Sequence, residues 1–276
     1  GSTVGGQIEY GTVGLPKTFK PELKIVNGEE LYVKISCNGM RALRWTQSKL
    51  ELKLTVTDAH NNSMKKTYTG GTDFMIMNDS ITVTKILDSL ETKNSFGTVC
   101  SSLTPGDDLT IKVELEYSDD KNNKLITGSA EEKVNSLFGA VEKGTDGKIT
   151  TINVSKVRHL NNLRKTIFKG SNVKPGTQVV QTETISFDWL DWESKDYVSN
   201  WTKNPMENFP AIDCGNLLNG GSYSGDGNVL KGFVFTGTNS GLFDSLERAT
   251  LTKMRFADCS SNGANAGILA GSLTNC

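Results

Sequence analysis

The chain predicts an all-β protein in two parts: an antiparallel β-sandwich, then a short right-handed parallel β-helix segment with a small helical cap. Three observations carry this. Period-two alternation punctuated by turn residues fills the amino-terminal half. A polar, glycine-bearing stretch at residues 142–148 follows, after which the character of the chain changes. Near the carboxyl end, Asn239-Ser240-Gly241-Leu242-Phe243 recurs 26 positions later as Asn265-Ala266-Gly267-Ile268-Leu269, and Ser245-Leu246 recurs as Ser272-Leu273. A period of that length marks a unit that cannot bury its apolar face alone and so stacks on its copies.

In the first part, strands are predicted over residues 22–26, 31–37, 50–57, 65–69, 73–76, 81–87, 109–117 and 125–134. Leu50, Leu52, Leu54 and Val56 share one side of the third, with Glu51, Lys53, Thr55 and Thr57 on the other, as a half-buried strand requires. Ile111, Val113 and Leu115 against Lys112, Glu114 and Glu116 repeat the pattern. Between the strands lie Asn27-Gly28, Asn38-Gly39, His60-Asn61-Asn62, Gly70-Gly71, Pro105-Gly106-Asp107 and Asp119-Asp120-Lys121-Asn122-Asn123, all tolerant of tight turns. Short strands separated by frequent turns define a sandwich of antiparallel sheets. The sandwich is assigned to residues 1–143, a linker to 144–150 and the β-helix segment to 151–276.

In the second part, Ser155 is placed to cap a short amphipathic helix whose Leu160 and Leu163 form one buried edge, the cap that a solenoid needs at its end. Apolar clusters then recur at residues 185–189, 229–235, 251–256 and 268–269. In residues 230–235 and 251–256 a strand follows a polar corner, and Gly241-Leu242-Phe243 inserts a second short strand between them. Asn and Gly at corners, with Leu, Ile, Phe and Cys stacked inward, fit a parallel β-helix. The sequence stops at Cys276 inside the second copy of the repeat, so the solenoid is expected to be truncated there.

Composition narrows function by exclusion. The 30 basic and 31 acidic residues give a net charge of −1 without long runs of one sign, so nucleic acid is not an expected partner. No stretch approaches the roughly 20 apolar residues of a membrane span. The start, Gly1-Ser2-Thr3, lacks Met and any signal-peptide pattern, so an export signal or anchor is expected outside this piece, which is read as a monomer. Cys37, Cys100, Cys214, Cys259 and Cys276 form no CxxC pair and no zinc-spaced cluster with His. Bridges Cys37–Cys100 and Cys214–Cys259 stay open on paper, but a chain of this size needs no staples, and buried thiols acting as small hydrophobes are the preferred reading.

No catalytic residue, cofactor or metal is predicted. His60 falls in a turn and His159 beside Arg158 on the lead-in helix; HExxH, GxSxG, P-loop and dinucleotide motifs are absent. Asp119-Asp120-Lys121-Asn122-Asn123 lacks the Gly and distal Glu of a calcium-binding EF-hand loop. The densest acidic and aromatic cluster is Asp188, Asp191, Glu193 and Asp196 interleaved with Trp189, Trp192 and Tyr197. A glycosidase needs two carboxylates about 5 to 9 Å apart across a sugar cleft, a distance that spacing along a chain does not set. The candidate ligand-binding surface is Trp189, Asp191, Trp192, Tyr197 and Trp201, whose rings suit a glycan or protein partner.

Two resemblances add to this reading. Residues 103–113, a Pro-Gly-Asp turn running into a long strand, are similar to the late strands of immunoglobulin-like or pilin-like sandwiches on bacterial surface proteins. Asn239-Ser240-Gly241-Leu242-Phe243 with residues 249–254, and Asn265-Ala266-Gly267-Ile268-Leu269-Ala270-Gly271 with Leu273-Thr274-Asn275-Cys276, resemble the GLUG repeat of bacterial cell-surface, adhesin-like proteins. Residues 157–163, 185–189 and 223–228 are similar to the lead-in of such repeats in large surface proteins of gut Firmicutes. Asp244 stands where a Gly is usual and Ala270 where a Val is usual, so the repeat is degenerate. The resemblance implies an extracellular, bacterial cell-surface protein with a β-helix stalk or adhesive face and no catalytic residues. The function expected is noncatalytic adhesion or display, with host glycan or extracellular protein as partner. A truncated β-helix polysaccharide lyase or glycoside hydrolase, and a purely structural stalk, are the alternatives.

Overall fold

The structure, a computed structural model, describes residues 15–28, 31–59, 61–88, 109–134, 138–164, 173–187 and 208–276. Two compact units divide the chain: Gly1–Asn27, Leu31–Leu87 and Asp108–Val134 in the first, and Gly28–Glu30, Asp88–Asp107 and Asn135–Cys276 in the second. Almost all regular structure is β.

In the first unit the strands are β1 (Glu22–Asn27), β2 (Leu31–Asn38), β3 (Leu50–Thr57), β4 (Ser63–Thr69), β5 (Ser80–Asp88), β6 (Leu109–Ser118) and β7 (Lys124–Val134). They form two sheets, ordered β1-β2-β5 and β4-β3-β6-β7. The alternation predicted for β3 and β6 becomes a cross-strand register: Leu52 opposes Leu115, Leu54 opposes Val113 and Val56 opposes Ile111, all fully buried. Such apolar pairs are the unit of sheet stabilisation. On the opposite side of the sheet, Glu116 sits between Lys53 and Lys124 at 3.2 and 2.9 Å, and the hydrogen bond from Lys124 leads in holding its carboxyl below the usual range.

One turn chemistry closes two hairpins. In residues 58–62, between β3 and β4, and 119–123, between β6 and β7, the leading Asp accepts the backbone N–H of the Asn four residues on at 2.9 and 2.8 Å. It also accepts that Asn side-chain amide at 2.9 and 3.0 Å. Asn61 and Asn122 both take a left-handed φ of 62°, which Asn tolerates better than most residues. The Asp119 carboxylate is thus occupied by its own turn.

Residues 73–76, predicted as a strand, alternate as expected, with Phe74 and Ile76 buried and Met75 and Met77 exposed, yet they pair only through the isolated bridge Gly70–Phe74. A 3-10 helix over Arg41–Lys49, which the sequence reading did not contain, lies alongside: Ile76 N–H donates to Gln47 Oε1 at 2.9 Å. A side-chain acceptor replaces the missing partner strand.

The second unit starts with β8 (Ala140–Lys143) and β9 (Ile149–Val154), an antiparallel hairpin. The stretch read as a linker, residues 144–150, is therefore the turn of this hairpin and the start of β9. Gly144 N–H donates to the Lys148 carbonyl at 2.9 Å, and Lys148 N–H to Asp146 Oδ1 at 3.0 Å. Residues 149–274 wind a β-solenoid of about four turns. After β9 come helix α1 (Val157–Asn162), β10 (Val173–Gln181), β11 (Ile185–Ser186) and β12 (Phe209–Pro210). The third coil holds β13 (Ser222–Ser224), β14 (Val229–Lys231), β15 (Val234–Thr236), β16 (Asn239–Ser240) and β17 (Phe243–Glu247). The fourth holds β18 (Thr250–Thr252), β19 (Arg255–Ala257), β20 (Ser260–Asn262), β21 (Asn265–Ala266) and β22 (Ala270–Thr274).

Each face stacks in parallel: β9-β10-β13-β18, β11-β14-β19, β12-β15-β20, β16-β21 and β17-β22. The repeat read from sequence is this stacking. Asn239 lies on Asn265, whose amide donates to the Asn239 side-chain oxygen at 2.9 Å, while Ser245 lies on Ser272 and Leu246 on Leu273. Gly241 is demanded by the approach of coils: a Cβ there would stand 2.6 Å from the Gly267 carbonyl oxygen and 2.7 Å from Ala270 Cα.

Inside, aromatic rings form a ladder. Phe233 stacks on Phe187 and Phe235 at centroid distances of 5.2 and 5.4 Å, and Phe209 meets Phe233 edge-on at 5.4 Å. The Tyr223 hydroxyl, fully enclosed, donates to Gln181 Oε1 at 3.0 Å, which satisfies a polar atom that the stack would otherwise strand.

The coil corners need left-handed backbone, and the fourth coil supplies it with side-chain-bearing residues: Arg248 (φ 53°), Lys253 (φ 50°) and Asp258 (φ 53°). The third coil has left-handed Gly220, Gly227 and Gly232 beneath them, with Asp226 (φ 49°) beside Gly227; their N–H groups donate to the carbonyls of Arg248, Lys253 and Ala257. Because an L-residue in this region costs about 1–2 kcal/mol and Gly returns part of that as unfolded-chain entropy, the triple variant Arg248→Gly, Lys253→Gly, Asp258→Gly is expected to raise the stability of the solenoid. Urea unfolding measures it; a lower midpoint contradicts the corner assignment.

Candidate binding surfaces

The first unit presents a basic, aromatic face. Leu43 is the buried residue of the 3-10 helix and anchors it, while Arg41, Arg44 and Trp45 point to solvent. Trp45 is 90% exposed, and the Arg44 guanidinium lies 5.5 Å from its ring centroid. The start of the helix is clamped by one carboxylate: Asp79 accepts the N–H of Gly39 on Oδ2 and that of Arg41 on Oδ1, each at 3.1 Å. Beside the helix stand Met75 and Met77, 52% and 70% exposed. Burying Phe74 and Ile76 forces these two outward, since alternate residues of extended chain face opposite ways.

An open groove of about 560 Å³ reaches the same helix start, lined by Lys17, Thr18, Lys20, Glu22, Asn38 and Gly39 among others. Lys17, Lys20, Arg41 and Arg44 are all exposed, and among the described residues none has a carboxylate partner. Sequence reasoning missed this face. A signal was present: residues 31–50 hold Lys34, Arg41, Arg44 and Lys49 and no carboxylate, with Trp45 in their midst.

The surface predicted from sequence, Trp189, Asp191, Trp192, Tyr197 and Trp201, lies outside the described residues. Between β14 and β15 two residues intervene and between β19 and β20 two, whereas 22 separate β11 from β12. That spacing is 20 residues longer than its counterparts in the third and fourth coils. It also explains the uneven repeat: Ile152 lies opposite Val179, 27 positions on, but Val179 lies opposite Tyr223, 44 on.

The interior polar groups hold the winding together. Arg164, just past α1, donates to Asn161 Oδ1 (2.7 Å), the Ala211 carbonyl (3.0 Å) and the Pro210 carbonyl (2.7 Å), and lies 5.0 Å from the centroid of the Phe209 ring. Burial lowers its pKa to about 10, against the raising effect of Asp244 and Asp213, so it remains a cation at neutral pH. Ser155 does not cap α1 through its side chain as predicted; Lys156 is the N-cap, and Ser155 N–H donates to His159 Nδ1 at 3.0 Å. Burial first, then Arg158 and Lys156, press the His159 pKa down to about 2.

His159 therefore folds neutral, and in the unfolded chain it takes up a proton at its ordinary pKa of 6.5. Its contribution is complete above pH 6.5 and declines as pH falls toward 2, by about 1.4 kcal/mol per pH unit. Urea unfolding at pH 7 and pH 5 should show a loss of about 2 kcal/mol in wild type and a smaller one in His159→Gln. Equal losses contradict the assignment.

Cys37, Cys214, Cys259 and Cys276 are free thiols, Cys37 and Cys214 buried; Cys100 lies outside the described residues. Burial, with Asp244 next, raises the Cys214 thiol to about 11, which leaves it unreactive at neutral pH. Among the described residues, no group of three or more His, Cys, Asp or Glu side chains converges as metal ligands would, and no helix is long and apolar enough to cross a membrane. The fold and these surfaces define a β-solenoid protein with a second all-β unit. Neither a protein-family model nor a curated protein matches the sequence.

Proposed function

We propose that this chain is a noncatalytic adhesion or display segment of a bacterial cell-surface protein. In this reading the coils form a right-handed parallel β-helix with degenerate GLUG-like turns, and the two sheets of the first unit pack as an immunoglobulin-like or pilin-like sandwich. The observation that carries it is the pairing of the GLUG-like segments: Asn239 on Asn265 and Leu246 on Leu273 in adjacent coils, with Gly241 at the point where the coils approach. A stack in which every coil supports the next is a rod resistant to proteolysis, suited to projecting binding surfaces. Two candidates for such a surface are the Trp45 face and, from sequence, the tryptophan-bearing stretch between β11 and β12.

The test is binding of the 276-residue chain to arrays of host glycans and matrix proteins, beside the Trp192→Ala/Trp201→Ala double variant. Adhesion predicts binding that one or both surfaces carry, and its absence from every array contradicts it. Release of reducing or unsaturated sugar ends from acidic polysaccharides would overturn the noncatalytic reading.

A further inference from the structure

We propose that the Trp45 face of the first unit binds polysaccharide chains built from uronic acids. The inference deepens the adhesion reading and rests on it for where such a ligand is met. Three features converge. Trp45, 90% exposed, offers a flat apolar platform of the size of a pyranose ring. Arg44 stands against that ring, and Arg41 one helical turn earlier; a guanidinium fork donates two parallel hydrogen bonds to a carboxylate. The groove carrying Lys17 and Lys20 reaches the start of the helix at Gly39, so cationic groups continue beyond Arg41.

Charge complementarity selects the occupant. The chain as a whole carries −1, yet Lys17, Lys20, Arg41 and Arg44 are exposed along the groove and the first turn of the helix, where the groove lining holds Glu22 and the helix start Asp79; at the far end of the helix Lys49 pairs with Asp120. Asp79 is spent on the backbone N–H groups of Gly39 and Arg41. A neutral glycan would leave the cations without partners, and an apolar peptide would have to desolvate them. A chain with one carboxylate on each sugar or on alternate sugars matches cations spaced along a groove and a helix, and its sugar faces match Trp45.

The experiment is calorimetric titration of the 276-residue chain with oligogalacturonate, with maltooligosaccharide as the neutral control and heparin as a sulfated one. Oligogalacturonate should bind, more weakly as salt rises, and maltooligosaccharide should not. Trp45→Ala and the double variant Arg41→Gln/Arg44→Gln should each weaken binding about tenfold. Lys65→Gln/Lys133→Gln, which removes the same charge from exposed sites elsewhere in the first unit, should change it less than about twofold. All substituted side chains are exposed, so the variants keep the wild-type fold, checked by thermal melting.

Absence of oligogalacturonate binding, unchanged binding in Trp45→Ala, tighter binding of heparin than of oligogalacturonate, or equal losses in the two charge-matched variants would each overturn the proposal. These outcomes leave the adhesion reading to be decided by the arrays and by location on the cell.

Discussion

Replacing Arg164 with methionine is expected to destabilise the second unit by about 3 kcal/mol. The guanidinium spans three acceptors, Asn161 Oδ1 and the carbonyls of Pro210 and Ala211, and so ties the first coil to the edge of β12. Methionine fills similar volume but donates nothing, which leaves these acceptors facing an apolar side chain against Phe209. Arg164→Lys keeps the charge, cannot reach three acceptors at once, and should recover about half of the loss. Urea unfolding of the three proteins measures this. A loss below about 1 kcal/mol for methionine would mean that solvent serves those carbonyls equally well.

Phe235→Ala is expected to cost about 3–5 kcal/mol. Phe235 is fully buried in β15, stacked on Phe233 and edge-on to Phe209 and Phe256 at 6.3 and 6.5 Å, so one ring joins the second, third and fourth coils. In a stack whose stability is a sum over neighbouring coils, a cavity there weakens both interfaces. The fourth coil should then unfold ahead of the rest, visible as hydrogen exchange in β18–β22 at denaturant concentrations that leave β9 and β10 protected. Phe235→Leu should restore most of the loss. Uniform exchange across all coils in the alanine variant would show that the ladder does not couple them.

Where one face of an element is buried against a regular partner, the sequence announced it. Leu50–Thr57 and Leu109–Tyr117 read as strands because their alternation is the register itself, Leu52 on Leu115 and Leu54 on Val113. The last two coils read as a repeat because their spacing is nearly constant, 26 residues at Asn239 and 27 at Leu246. Legibility fails where a partner is distant or the period is broken. Residues 73–76 alternate like a strand, but what they meet is the Gln47 side chain. Gly144-Thr145-Asp146-Gly147 has the composition shared by linkers and hairpin turns, and only the pairing of β8 with β9 separates the two. The long stretch between β11 and β12 hides the earlier coils by pushing Tyr223 to 44 positions beyond Val179.

The Trp45 face was less legible than the scaffold, for a physical reason. Periodicity reports burial, and among the described residues Trp45 is an aromatic side chain that burial does not use. A tryptophan beside Arg44 reads equally well as core or as surface until Leu43 is seen to supply the apolar anchor of that helix. The predicted pair Trp192 and Trp201 rests on composition alone, so its role is carried by the double variant.

The central claim is that the solenoid and its companion unit stand on the outside of a bacterial cell. Antibodies against residues 149–274, applied to intact cells that express the native gene and to the same cells after permeabilisation, test it directly. Surface display predicts equal labelling in both. Labelling that appears only after permeabilisation would contradict it.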